Sequence, residues 1–451
     1  MTPPASLIAF RYGFGLPLAP GAPLTPADML VGLSGPDHMA ARHPIINQAW
    51  LSARTQALTQ VKKRMRTDPA VRVEFDAIAD EVLAATDAAM RATLARAIDA
   101  ADGFRERLVA FWADHFTVAA FGQQNGASSY TFVEDAIRPH INGPFETLLT
   151  AATRHPAMLT FLDQARSVGP NSPNGLRKGV GLNENLAREL LELHSLGIGA
   201  AYTQTDVRQL AELLTGLVYD DRRGSYFDVR RAEPGGETVL GKTYDGSDER
   251  PVLQALSDLA RHPDTARHIA RKLAVHFLSD TPDPSVVDAV AQAWTASNGD
   301  LSKIYNAFLT HPAAWAEPAV KARQPIEFIV AGFRALGVTG ADVLAMPEKL
   351  FKPCVIHALY SMGQRWKAPP GPDGWPEDIG AWITPQGMTR RIAWAMRWPA
   401  QLTHTLPHPT DLATRALGDR ASPTLLWAAE RAENLAEGVG IVLASPEFNK
   451  R

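Results

Sequence analysis

A single cysteine, Cys354, in 451 residues excludes an internal disulfide and any thiolate metal cluster. It lies in an apolar stretch (PCVIHALY), where a thiol ordinarily serves as a small buried hydrophobe. No run of about 18 apolar residues exists, so no helix is long and apolar enough to span a membrane. The opening MTPPASLIAFRYGFG has no basic leader and its apolar run is broken by Arg11 and Gly13, which is not a secretory pattern. The expected compartment is therefore the cytoplasm. The net charge of −3 gives no electrostatic footprint for nucleic acid or for an anionic membrane. The basic run KKRMR (62–66) and the arginines of TRRIAWAMRW read as solvated helix faces. Also missing are the nucleophile elbow G-x-S-x-G, the phosphate loop G-x-x-x-x-G-K-[ST] and the dinucleotide fingerprint G-x-G-x-x-G. No helix carries E-x-x-H, H-x-x-x-E or H-E-x-x-H, so the di-iron and zincin signatures are lacking and no metal ligands are assigned. Nothing specifies a cofactor.

What is present is apolar material at helix spacing. Hydrophobic residues make up 45% of the chain and charged ones 21%, a globular composition with enough length for two or three domains or one large helical array. Helical periodicity runs through 47–66, 70–100, 104–118, 128–141, 184–196, 204–217, 252–259 and 264–278. It continues through 285–296, 300–310, 324–336, 349–362, 387–398 and 424–444. Strand signals are sparse, the best being 226–229 with 238–240 as one short hairpin. A motif recurs at helix junctions: LLTAATRHPAM (148–158), LSDLARHPDTA (256–266), FLTHPAAW (308–315) and VLASPEF (442–448). Proline suits the first helical position, because its missing N–H has no partner there in any case, and the His or Ser before it stands near the cap. Each reads as an antiparallel helix corner.

Two stretches break the pattern. Residues 219–250 are charged and glycine-bearing, the expected boundary between an N-terminal lobe (1–220) and a C-terminal lobe (251–451). Residues 363–387, GQRWKAPPGPDGWPEDIGAWITPQG, form a long Trp/Pro/Gly loop of the kind that is functional when ordered. The expected fold is mainly α: a multi-helical array of antiparallel pairs with one short β-hairpin and this loop.

The densest run of functional groups is NENLARELLELHSLGIG (183–199). At 100° per residue, Leu186, Ala187, Leu190, Leu193 and His194 share an apolar side, while Glu184, Asn185, Arg188, Glu189 and Glu192 share the opposite one. Glu184–Arg188 and Arg188–Glu192 are i,i+4 pairs that support a helix by about 0.2–0.5 kcal/mol each. Gly197 fits a left-handed stop with Ile198 placed for its hydrophobic contact, and Thr203 with Asp206 reads as a capping box opening the next helix. Because His194 lies away from the carboxylates, this helix alone cannot chelate a metal. Glu189 and Glu192, at i,i+3, are either a solvated face or a carboxylate pair whose repulsion raises one pKa toward acid–base work.

Other candidates lie apart in sequence. FWADHF (111–116) sets Asp114 and His115 between aromatics, as a base and ligand or as core hydrogen-bonding groups. Asp163 precedes the irregular stretch leading to Asn183 and is a candidate to return over the helix start. In the long loop, Trp366, Trp375 and Trp382 are either ligand platforms or loop anchors.

NENLARELLELHSLGIGAAYTQTDVRQLAELLTGL resembles the main block of a bacterial family designated domain of unknown function 1800. FRYGFG, FWADHFTV, HPDTARHIARKLAVHF, MGQRWKAPPGPDGWP with AWITP, and LASPEF are similar to its other blocks, over about residues 7 to 449. The resemblance implies no established activity. It implies a genomic neighbour that resembles phosphatases and sulfatases, and hence export with that partner to the periplasm as the alternative compartment. It also implies that Asn183, Glu184, Asn185, Arg188, Glu189, Glu192, His115, Gly374 and Trp375 belong to the family pattern. One departure stands out: where the family commonly has His-Asp-x-Gly, this chain has Ala232-Glu233-Pro234-Gly235.

Three function classes follow. The leading expectation is an accessory or envelope-associated factor acting with a phosphatase/sulfatase-like partner. The second is an enzyme joining Glu189, Glu192 and Arg188 to Asp114, His115 and Asp163, with Asn183, Glu184 and Asn185 binding ligand. The third is a polymer- or peptide-binding module using the tryptophan loop.

Overall fold

Histidine and serine side chains do close the four helix corners. His155 Nδ1 accepts from Ala157 N–H at 3.1 Å, His262 Nδ1 from Asp264 N–H at 3.2 Å and His311 Nδ1 from Ala313 N–H at 3.2 Å. At the last corner Ser445 Oγ accepts from Phe448 N–H at 3.1 Å. Each cap supplies a partner for an N–H that the first helical turn leaves without one, and proline follows in every case. The computed structural model describes residues 4–19, 21–101, 103–119, 123–179, 181–316 and 320–451. Within them the protein is mainly α, with long helices Gln48–Arg64 and Arg72–Asp99 and a series of helices of 10 to 15 residues joined by such corners.

The strands differ from the expected single hairpin. Leu217–Asp220 pairs with Gly224–Phe227, and Glu237–Val239 pairs with Lys242–Tyr244, both antiparallel and in separate sheets. The turns decide this. Asp220 Oδ1 accepts from the backbone N–H groups of Arg222 (2.9 Å) and Arg223 (2.8 Å), folding the first ribbon on itself. Leu240 and Gly241 both take positive φ (51° and 75°), the two-residue hairpin turn whose twist matches the strands. The expected 424–444 helix is likewise two, Pro423–Glu430 and Leu435–Ala444, because Asn434 Oδ1 caps the second by accepting from Glu437 N–H at 3.0 Å.

Two buried apolar clusters form the core. The first gathers residues from Ile8 to Ala314, centred on Trp112, Phe145, Trp294 and Tyr305. The second gathers Phe328, Phe333, Trp394, Leu443 and Phe448, together with Phe10, Phe14 and Leu94 from the N-terminal third. The helices of 250–310 pack into the first. The N-terminal turn (Ala5–Leu7 and Ile8–Tyr12) lies between the clusters, with Ile8 and Tyr12 in one and Ala9 and Phe10 in the other. Truncating a residue such as Trp112, 0% exposed, would cost about 3–5 kcal/mol.

Candidate active site

The helix Phe104–His115 starts at Gly103, where φ is 76° and an added Cβ would lie 2.9 Å from Gly13 Cα. That close approach sets the helix against the FRYGFG element. Trp112 is buried and donates from Nε1 to Tyr305 Oη at 2.6 Å, which fixes the helix in rotation. Asp114 then meets the long loop: the Trp375 N–H donates to Asp114 Oδ1 (3.0 Å) and Oδ2 (3.2 Å). Gly374 makes this possible. Its φ is 86°, and a Cβ there would fall 2.7 Å from the Asp114 carboxyl. Burial pushes the Asp114 carboxyl up to about 7, against the Trp375 N–H and the Lys272 ammonium, with Glu377 and Asp373 pushing it further up.

The second wall is the helix Pro263–Phe277, which carries His268, Lys272 and His276 at four-residue spacing along one side. His268 pairs with the Leu193 carbonyl at 3.0 Å through Nε2, and burial lowers its pKa to about 4. Lys272 forms no hydrogen bond or ion pair with the described residues. Burial lowers its pKa, opposed by the charges of Asp114, Glu377 and Asp373. His276 is held at both nitrogens. Arg107 Nη2 lies 3.0 Å from Nε2 and can only donate, so Nε2 accepts and Nδ1–H donates to Glu377 Oε1 at 2.5 Å. Burial would raise the Glu377 carboxyl, but His276, Arg451 and Lys321 hold it well below the usual carboxylate range. Glu377 and Asp114 thus lie in one loop-and-helix site with opposite tendencies.

A cavity of about 250 Å³ opens between these walls, bounded by Asp114, His115, His268, Lys272, Asp373 and Trp375. His115 is buried, its Nε2 donating to the His194 carbonyl across 3.3 Å and its ring 6.0 Å from that of His194. Burial and the nearby Lys272 charge hold His115 well below its ordinary value, and the same causes bring His194 to about 3. Both imidazoles are therefore neutral at pH 7. Among the described residues no group of three His, Cys, Asp or Glu side chains is placed to hold a metal ion.

The polar helix runs as Asn185–Glu189 continued by a wider turn, Leu190–His194, with Leu186, Leu190, Leu191 and His194 buried. Glu189 is half-buried: burial, Glu192 and Asp373 raise its carboxyl, with Arg188 opposing. Arg188 is committed to Glu184 (3.2 Å), Glu192 (3.4 Å) and Gln204 (3.1 Å), a half-exposed clip to the next helix worth at most about 1 kcal/mol per pair. Asn183 Oδ1 accepts from Asn185 N–H at 2.8 Å, a local turn at the helix start, and Asn185 is exposed. Thr203 and Asp206 form the expected capping box. Gly197 takes φ 94° as expected, but Ile198 is 79% exposed and makes no hydrophobic closure. The close approach of His268, 2.7 Å from where a Gly197 Cβ would stand, fills that place instead.

Asp114, His115 and Trp375 line one cavity, while Glu189 is not among its lining residues and is linked to it only through the charge of Asp373. Asp163 stands elsewhere, paired with the exposed Arg166 at 3.4 Å. Trp366 donates to Tyr130 Oη at 2.6 Å, while Trp382, 4% exposed, donates to the Pro376 carbonyl at 2.8 Å. Those two anchor the loop. Glu233, in the segment that departs from the family pattern, accepts from the Asn171 N–H at 2.9 Å and pins the neighbouring loop. Lys272, His268, His276, Asp373 and Glu377 were not singled out in the sequence. The i, i+4, i+8 spacing of His268, Lys272 and His276 was the available signal for three of them.

The fold and site together define a mainly α protein with an internal cleft, lined by Asp114, Lys272 and histidines, against a tryptophan-bearing loop. The chain belongs to the DUF1800 family, proteins of unknown function, whose model matches residues 32–450. The FRYGFG element at 10–15 precedes the matched segment. Neither a curated protein nor a solved structure matches the chain.

Proposed function

We propose that the protein is an enzyme that performs proton transfer on a small polar substrate held between Asp114 and Lys272. One observation carries the reading: a carboxyl raised to about 7 and a buried ammonium with no hydrogen bond or ion pair to the described residues line a single cavity. A carboxyl titrating near 7 gives and takes a proton near neutral pH, the condition that general acid–base catalysis needs, while the buried Lys272 is suited to hold an anionic oxygen beside it. The Trp375 N–H orients the Asp114 carboxyl, and Lys272 is placed to bind a carbonyl or anionic oxygen. Asp373 and Glu377 in the cavity wall disfavour anions there, so the entering molecule is neutral or carries its anionic group toward Lys272.

The test is a panel of small polar metabolites incubated with the protein and followed by mass spectrometry. Asp114→Asn and Lys272→Met each lower the turnover found by about 10²–10⁴-fold while the thermal midpoint stays within a few degrees. Turnover that survives both substitutions defeats the reading. Loss of co-purification with a phosphatase/sulfatase-like protein on Glu189→Gln, with no small-molecule turnover by the wild type, would favour the accessory role instead.

A further inference from the structure

Asp114 and Trp375 also line a second chamber, of about 210 Å³, on the other side from Lys272. Its walls combine apolar side chains, Phe14, Val109, Phe132, Ile326, Val330 and Leu359 among them, with charged and polar ones. Small residues on the facing helices, Ala97, Ala110 and Ala113, leave the space open. Interiors pack as densely as organic crystals, and a void costs stability in proportion to its volume. Apolar cavities of about 150 Å³ are already large enough for a benzene-sized molecule.

The charged side chains that reach this chamber are bound to one another or to neighbouring groups, Asp114 to the Trp375 N–H (3.0 Å) and Arg365 to Tyr360 Oη (3.4 Å) among them, with one exception. Arg96 holds Glu134 through two contacts (2.6 and 3.0 Å), Arg138 holds Glu106 through two (3.0 and 2.5 Å), and Arg107 pairs with Glu327. The exception is Lys367. Its Nζ stands 5.3 Å from the centre of the Tyr130 ring and has no hydrogen bond or ion pair with the described residues. Tyr130 Oη accepts from Trp366 Nε1 at 2.6 Å, which leaves the phenolic O–H without an acceptor among those residues. An ammonium and a phenol, both donors, therefore meet at the edge of a partly apolar room.

We propose that this chamber binds a small apolar carboxylic acid, its ring or chain filling the cavity and its carboxylate held between Lys367 Nζ and Tyr130 Oη. Two donors beside apolar walls match the two oxygens of a carboxylate and the hydrocarbon behind them. Burial pushes the Lys367 ammonium down to about 8, opposed by Glu134 and Asp114, and a bound anion would restore its charge. Glu134 does not compete for the ammonium at contact distance, since both of its oxygens are taken by Arg96. The proposal stands on this chamber alone and does not depend on the catalytic reading of the Lys272 cavity.

Isothermal titration calorimetry of the full chain with phenylacetate and hexanoate, each against its amide, tests it. Each acid is expected to bind at least tenfold more tightly than its amide. Lys367→Met should make acid and amide alike, and Val330→Trp, which fills the room, should abolish binding of both. No binding of either acid at millimolar concentration overturns the proposal, as does equal binding of acid and amide by the wild type. So does an acid preference that persists in folded Lys367→Met. The acid–amide contrast in the wild type needs no variant, so a substitution that fails to fold leaves the test intact. It is also separate from turnover, which the Asp114 and Lys272 substitutions address.

Discussion

At the scale of single residues, the cleft works by placing titratable groups where water cannot settle their charge. Glu189, half-buried, is raised by burial and by the like charges of Glu192 and Asp373. Glu189→Gln removes that repulsion, so denaturation should shift by no more than about 0.5 kcal/mol in either direction, while any turnover that needs this carboxyl falls. A large loss of stability in urea titration would mean instead that Glu189 is a structural group. Asp114 and His115 were legible in the sequence as a pair of polar residues among aromatics. Lys272 was not, because a lysine on an amphipathic helix normally stays in solvent, and only the fold reveals that its neighbours are a loop about 100 residues further along the chain.

At the scale of elements, local chemistry was the readable part. The His-Pro corners, the Thr203 capping box and the helical periods follow from patterns within a few residues, and the structure carries them. His262→Ala should cost about 1 kcal/mol by removing the acceptor for Asp264 N–H, and His262→Asn should restore most of it, as chemical denaturation would show. The strand pairing was less legible, since alternation marks strands but the turns choose the partners. The 363–387 loop was legible as important but not as a cover, because the contact of Gly374 with Asp114 spans most of the chain. Gly374→Ala should displace the Trp375 N–H from that carboxyl and raise the Asp114 pKa further, which a shifted pH profile of any turnover would report. An unchanged profile would mean that the N–H contact does not tune the carboxyl.

For the whole molecule, acidity should act through histidines kept neutral by burial. His155, His194 and His276 are lowered to about 3 and His268 to about 4, against an unfolded value near 6.5. In each the folded pKa is depressed, so its contribution to stability is complete above about 6.5 and is lost progressively as pH falls toward 3–4. Asp114 and Glu237, both raised to about 7, work in the opposite sense, as do the raised Glu189 and Asp135, against these four imidazoles and those of His115 and His140, which burial also lowers. Urea midpoints should therefore fall between pH 7.5 and 5, and His155→Asn, which keeps the cap acceptor without the titration, should flatten that slope. A midpoint that holds steady or rises on acidification would contradict the picture of neutral buried imidazoles. The core packs across the chain, not along it: the second cluster takes Phe10, Phe14 and Leu94 from the start of the sequence. The central claim is that Asp114 titrates near neutrality beside the Lys272 ammonium. It is tested most directly by carbon-13 NMR titration of aspartate-labelled protein, with Asp114→Asn identifying the resonance. The Asp114 carboxyl should titrate at about 7 in the wild type and higher in Lys272→Met, because the ammonium lowers it. A value in the ordinary aspartate range, or one that does not move when Lys272 is removed, would contradict the account.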